Sequence, residues 1–511
     1  MFKSFAFRIY IIALILRLIP VLLARDLGIG LDDMFQYDML ARSLAQGNGF
    51  RWYAQTDLDR FASFLTFDLT SLENYDPRLG IPTSFRAPLY PAFLAVVYFF
   101  SGLDFSRFFA ARLAQAILLG APLAPLTYWT TTRLLSQPST FHFPLSTSLE
   151  IGKHALPKEH RNDVSAVEGR KEHAARLSAW TVAAYPLLLV YPLGLGTENP
   201  FFVLLLASFL FLLFAIEKPT TFHFLLSSLF LAHTALTRTV NLPFAHDAFF
   251  LLLFLHGKRA FIAILSFAVV ISPWIVRNSL LHQKPTGIET SMGYNLYLGY
   301  HPQGNGSFVF GPSLDLLTTL DDAERDRIGA QKALEFIQAQ PGRFVPLAIN
   351  RLGFFFGLEK RVLMYFYSNN IIGFVPLPLL LTISAILLLP FVFISTSAAL
   401  GLALLRWTPQ TCLFALLLIC YILPHVFILS EDRFHLALVP YIAILAAQFW
   451  TNGFAALSAR WNESRTGKIL VILSILFVFL LVTNWTLELA RDWDKISQLL
   501  GPTGNRTYFP Y

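Results

Sequence analysis

The sequence predicts an all-α fold: a polytopic bundle of about 11–13 transmembrane helices, with extracytoplasmic loops that carry short interfacial helices. Three observations predict it. Of 511 residues, 55% are hydrophobic and only 14% are charged, whereas soluble domains are about one quarter charged. Apolar runs long enough, or nearly long enough, to cross ~30 Å of hydrocarbon recur along the chain. They fall at 8–24, 88–103, 109–133, 178–194, 199–215, 221–236, 241–256, 259–276, 371–395, 410–428, 436–450 and 467–486. The runs are continuous and rich in Leu and Phe. That excludes barrel strands, whose lipid-facing and lumen-facing residues alternate.

The first run follows Lys3 and Arg8, so the positive-inside rule places the N-terminus in the cytoplasm and reads the run as an uncleaved anchor. Three polar stretches then interrupt the helices, at 25–87, 135–177 and 277–345. The first holds nine acids against six Lys/Arg and is expected on the outer side. The window 153–176 packs six Lys/Arg and is expected to be cytoplasmic. Two apolar runs separate these loops. The opposite sides therefore require one run not to cross fully, or the basic loop to lie outside. The third stretch contains DDAERDRIGAQKALEFIQAQPGRF, an amphipathic helix marked by Asp321 and Asp322 at its start and Gly342 at its end. The organisation expected is an N-terminal transmembrane module over 1–276 that includes outer loop 25–87. A loop with its helix follows over 277–345, then C-terminal membrane helices and a tail over 346–511.

Composition narrows the function classes. A net charge of +7 suits a membrane protein with basic cytoplasmic loops and gives no reason to expect nucleic acid. Cys412 and Cys420 lie in one run, about 12 Å apart along a helix axis, and cannot bridge each other. With no tandem repeat and no soluble domain, chemistry must use loops and helix ends.

Four motifs sit at such ends. In IGLDDMFQYDMLARSLAQGNGF, Asp32 and Asp33 are neighbouring carboxylates at a membrane interface. Repulsion between them raises one pKa and suits it to base chemistry, although an N-cap for the helix that follows is the simpler account. In TSFRAPLYP, Arg86 precedes a proline-initiated helix and can meet a phosphate, or snorkel to the interface. In YPLGLGTENPFF, Thr197 and Glu198 separate two spans, and an acid there is a functional candidate or a cap. In LSEDRFHLALVP, Glu431, Asp432, Arg433 and His435 separate two late spans, too close-set for a clear metal site. No residue is assigned to a metal. Arg17 and Arg238, in or near other spans, can both be held by backbone carbonyls. Trp274, Arg277 and Asn278 can fix the entry to the third loop.

The order of these motifs carries a resemblance. It runs from an anchor to an acidic pair with Tyr37, Ala41 and G-x-G-F, then R-x-P-x-Y-P, T-E, P-W-x-x-R-N and E-D-R-F. The chain resembles the GT-C class of polytopic glycosyltransferases over roughly residues 8–450. It is similar in particular to the bacterial branch of protein O-mannosyltransferases and lipid A aminoarabinose transferases. The resemblance implies a sugar donor linked to polyprenyl phosphate and a lipid, glycan or protein acceptor. It implies transfer with inversion on the outer face of a bacterial plasma (inner) membrane. It implies a loop Asp as base: spacing to Tyr37 and Ala41 favours Asp33, counting back from Gly47 favours Asp32, and Asp33 is taken with Asp32 beside it. Arg86 and Arg433 would meet the lipid phosphate, with Tyr37, Glu198 and Glu431 in the substrate site. No nucleotide cofactor is expected, and a divalent ion is left open. The alternatives are a transporter or flippase, which would show internal repeats and midplane sites, and a polysaccharide polymerase or ligase.

Overall fold

The computed structural model describes residues 4–62, 67, 69, 75–135, 158–360 and 375–501. Residues 136–157, the acids Asp68 and Glu73, and the start of run 371–395 lie outside them; the rest of the expected basic loop, 158–177, is helical instead.

The fold is an all-α polytopic helix bundle. In chain order the principal helices are α1 (Phe5–Leu23), α2 (Asp33–Ala45), α3 (Leu89–Ser101), α4 (Ser106–Leu134), α5 (Lys158–Ala184), α6 (Glu198–Glu217), α7 (Thr221–Ala235) and α8 (Leu242–His256). They continue with α9 (Phe261–His282), α10 (Met292–Tyr300), α11 (Asp322–Ala339), α12 (Phe344–Phe355), α13 (Leu377–Leu402), α14 (Pro409–Phe427), α15 (Val439–Glu463) and α16 (Arg465–Arg491). Ten of the twelve apolar runs fall on helices throughout or nearly so, and run 371–395 does so over its described part. Run 178–194 instead breaks at Tyr185 and continues as a short helix, Pro186–Val190, and a tight turn, Tyr191–Leu193, so it is not one span. Among the described residues, eight helical stretches are long and apolar enough to cross a membrane unaided. One of them, Thr239–His282, is broken into α8 and α9 where Gly257 takes a positive φ of 58°.

Local chemistry explains the ends. Asp32 caps α2 by accepting from the Met34 N–H at 2.9 Å, and Asp321 caps α11 by accepting from Ala323 and Glu324. Helix α5 stops at Ala184 because Pro186 has no N–H and pushes Tyr185 into an extended conformation.

Helix α6 and the first part of α15, residues 439–449, run through the centre with most side chains buried. Phe201, Leu205, Phe209 and Leu212 of α6 pack with Phe391, Phe414, Tyr441 and Leu445. Small residues set the close approaches in a bilayer, where apolar surface gains nothing by leaving lipid: a Cβ on Gly401 of α13 would lie 2.1 Å from the Leu445 carbonyl oxygen of α15.

The polar stretches 25–87 and 277–345 are joined, over their described residues, into one structure. Asp322 accepts from the Thr83 hydroxyl at 2.5 Å and the Ser84 N–H at 2.8 Å, and also pairs with Arg325. Thr290 N–H donates to the Ser84 carbonyl at 3.0 Å. Helices α10 and α11 touch through Gly293 and Gly329, where a Cβ on Gly293 would lie 1.8 Å from the Asp326 carbonyl oxygen. Asn278 and Trp274 donate to the Ile288 carbonyl, so the PWIVRN segment does fix the entry to the third loop.

Candidate active site

Helix α2 presents Asp33, Gln36 and Tyr37 on one face, at the three- and four-residue spacing that makes helical neighbours. A separate buried cluster anchors the helix: Asp38 accepts from Arg42 and Arg107, both at 2.8 Å, and from Tyr98 at 3.0 Å. The face with Asp33 meets Arg86, which leads into α3. Arg86 Nε donates to Gln36 Oε1 at 2.9 Å, and its Nη2 donates to Asp33. Its guanidinium carbon lies 5.2 Å from the centre of the Tyr37 ring, and the Tyr37 hydroxyl meets Thr197 Oγ1 at 3.4 Å.

Three helix ends converge on the same point. Glu198 begins α6, Arg238 follows α7, and Arg433 lies between α14 and α15. Arg433 Nε donates to Glu431 at 2.8 Å. Its other nitrogens lie 3.7 Å from Asp33 and 3.8 Å from Glu198. Glu198 pairs with Arg238 at 2.9 Å. The result is a row of alternating charge, Arg86–Asp33–Arg433–Glu198–Arg238, with Glu431 on its middle cation. An acid in the first turn of α6 is also favoured by the helix dipole.

The row lines a cavity of about 1770 Å³. Asp32, Asp33, Tyr37, Arg86, Glu198, Glu431 and Arg433 all border it. The seven residues taken from sequence for the substrate site thus all border one cavity. The remaining wall includes apolar side chains of the bundle, among them Leu187, Val190, Leu193, Ile419 and Leu423.

The two acids of the pair differ. Burial would raise the carboxyl of Asp33, but Arg86 and Arg433 outweigh it and hold the group below its ordinary range. Asp32 is pushed up, first by burial and then by the charge on Asp33. Burial also lifts the Tyr37 hydroxyl to about 12, so it stays neutral at pH 7. Asp32 is thus both the helix cap and the cavity-facing acid with the greater affinity for a proton.

Sequence reasoning missed three members of this wall. Arg238 is held by a carboxylate in the cavity, not by backbone carbonyls. Gln36 orients Arg86. Glu289 accepts from the Thr239 N–H and hydroxyl at the cavity edge. Only Arg238 left a signal, as a charge at the end of an apolar run. His435 lies elsewhere, fully buried against Glu359. Among the described residues no group of three or more His, Cys, Asp or Glu is arranged to hold a metal ion.

A polytopic helix bundle with paired carboxylates and guanidiniums gathered at its helix ends defines a membrane protein with a polar site at the edge of the bundle. Comparison with known proteins goes no further. No family model matches the chain, and no curated protein matches its sequence. Among solved structures, the crystal structure of ArnT from Cupriavidus metallidurans bound to undecaprenyl phosphate is similar over 89% of this chain and 79% of that one. The identity is 11% and the TM-score 0.35.

Proposed function

We propose that the chain is a membrane glycosyltransferase. It takes a sugar from a polyprenyl-phosphate donor and passes it, with inversion, to an acceptor on the extracytoplasmic face of a bacterial plasma membrane. The observation that carries this reading is the row of alternating charge on the wall of a cavity that is otherwise largely apolar. A lipid phosphate needs both parts: cations for its head and an apolar wall for its chain.

The chemistry follows from the same groups. An acceptor hydroxyl is a weak nucleophile until a base takes its proton. Spacing in the sequence favours Asp33, but Asp33 is committed to two arginines and its proton affinity is low. We therefore assign the proton to Asp32, with Asp33 holding Arg86 and Arg433 in place. The acceptor oxygen attacks the anomeric carbon from the side opposite the phosphate. The bond from that carbon to the phosphate oxygen breaks, and its electron pair leaves with the lipid phosphate. Negative charge grows there, where Arg86 and Arg433 are the cations that answer it. Glu198 and Glu431 position Arg433, and Tyr37 lies beneath Arg86.

The test is transfer activity and donor affinity of Asp32→Asn and Asp33→Asn. Asp32→Asn should lose on the order of 10²-fold or more in turnover and keep its donor affinity. Asp33→Asn should lose turnover and also weaken donor binding, because it frees the arginines. Full activity in both variants would leave Asp32 as a helix cap and end the base assignment.

A further inference from the structure

Gln36 enters the proposed reaction only as a prop for Arg86, and one end of its side chain is left over. The amide carries an acceptor oxygen and a nitrogen with two hydrogens. Arg86 decides which is which. Its Nε and Nη2 lie 2.9 Å and 2.7 Å from one amide atom. A guanidinium only donates, so that atom is the oxygen. The other is the nitrogen, with both hydrogens unspent. Among the described residues, Gln36 Nε2 has no hydrogen-bond partner, yet it is not one of the unpartnered polar atoms sealed inside the fold. Gln36 is part-buried and borders the cavity. What meets Nε2 is therefore what the cavity holds.

The backbone and Arg86 together fix where that nitrogen stands. Gln36 lies one helical turn after Asp32, with its N–H donating to the Asp32 carbonyl at 3.4 Å, so the two side chains are neighbours. Arg86 Nε and Nη2 are engaged with Gln36 and Asp33, which leaves Nη1 for a phosphate. In the reaction above, Asp32 takes the acceptor's proton and Arg86 meets the leaving phosphate. The sugar lies between these two groups, because the acceptor attacks the anomeric carbon from the side opposite the phosphate. An N–H donor placed between the base and the phosphate cation thus meets an oxygen of the sugar. A phosphate oxygen gains more from a guanidinium than from a neutral amide. The ring oxygen gives up electron density as the anomeric bond breaks. A hydroxyl oxygen is the acceptor that remains.

We propose that Gln36 Nε2 donates a hydrogen bond to a hydroxyl oxygen of the transferred sugar, while its Oε1 holds the arginine that meets the phosphate. One amide then orients the sugar against the phosphate it leaves. This rests on the glycosyltransferase reading above.

The experiment measures binding of lipids to the purified full chain in nanodiscs. The lipids are bare polyprenyl phosphate, the tightest-binding member of a panel of hexosyl polyprenyl phosphates, and the analogues of that member lacking one hydroxyl each. Wild type should bind the hexosyl lipid more tightly than the bare one, and should lose about tenfold for one deoxy analogue. Gln36→Met keeps the length of the side chain and removes both amide atoms. It also loosens Arg86, which lowers affinity for every lipid alike, so the result is read as discrimination. In Gln36→Met the hexosyl lipid and that same analogue should bind equally. Gln36→Asn draws the amide back by one methylene and should also abolish the discrimination, which decides the matter if Gln36→Met fails to fold. A folded variant that keeps wild-type discrimination against every analogue overturns the contact. So does wild type that binds every analogue as it binds the hexosyl lipid. Equal wild-type affinity for the hexosyl and bare lipids overturns the contact while sparing the donor reading. Wild type that binds neither overturns the donor reading and the contact with it.

Discussion

Two groups of arginines stand inside this protein, one fully buried and one part-exposed on a cavity wall, and they are held differently. Arg17 and Arg351 donate to backbone carbonyls. Arg17 reaches Ala13, Val182 and Ala183 at 3.1–3.2 Å, and Arg351 reaches Gly299 at 2.5 Å and Val426 at 3.2 Å. Arg86, Arg238 and Arg433 pair with carboxylates on a cavity wall. Carbonyl partners are fixed parts of a neighbouring helix end, and nothing in solution takes their place. Carboxylate partners are anions, and an incoming phosphate can share or replace them with the same two-pronged geometry. The first group therefore holds the bundle together, and the second is available for a ligand.

The largest expected break in that contrast comes from Lys substitution. Arg433→Lys and Arg86→Lys keep the charge but lose the planar fork. Each should lower turnover by roughly 10- to 100-fold, because the strongest contact forms as charge grows on the leaving phosphate. Donor affinity should change less. Arg351→Lys should leave turnover per folded molecule unchanged. If all three behave alike, the site arginines only snorkel to lipid headgroups.

Acidity offers a finer comparison. The base must be ionised, so turnover should fall as pH drops through the raised pKa of Asp32. Arg433 holds both Asp32 and Asp33 down. Arg433→Gln removes that pull, so the acid limb of the residual rate should move to higher pH. The pH–rate profile of the variant against wild type reads this directly, and an unmoved or lowered limb would detach Arg433 from the base.

Much of this architecture was legible before any coordinates. Continuous apolar runs give helices because a bilayer offers unpaired backbone groups no partner. The capped helix after Asp32 and the amphipathic helix after Asp321 could be read from capping chemistry. The carbonyl-held role of Arg17 was also within reach, since a lone cation inside a span has few other partners. Arg238 was given the same reading and is bound differently. Its partner Glu198 is 40 positions away, and only the meeting of α6 and α7 ends brings them together. The division of labour between Asp32 and Asp33 was hidden for the same reason. It depends on Arg86, 53 residues further on, which pulls Asp33 down and not Asp32, and the sequence leaves the choice between the two acids open.

The smallest expected effects concern the carbonyl-held group. Arg17 satisfies Val182, whose helical donor would have been the N–H that Pro186 lacks. Arg17→Met should therefore destabilise the bundle by about 3 kcal/mol, two carbonyls having lost their donor in a buried place, with turnover per folded molecule retained. Gly120 of α4 lies directly against the same side chain. A Cβ there would come within 2.8 Å of Arg17 Cδ and 3.0 Å of its Nε. A free arginine would swing away, but this one is fully buried and pinned by three hydrogen bonds. Gly120→Ala should thus cost about 1–2 kcal/mol through overpacking. Unfolding of the two single variants and the double variant in mixed detergent micelles tests whether the costs share one origin. Once Arg17 is gone its bonds are already lost and the shorter, unpinned Met can yield, so the double variant should be less destabilised than the two single costs together. Full additivity would mean that Gly120 is glycine for a reason other than Arg17.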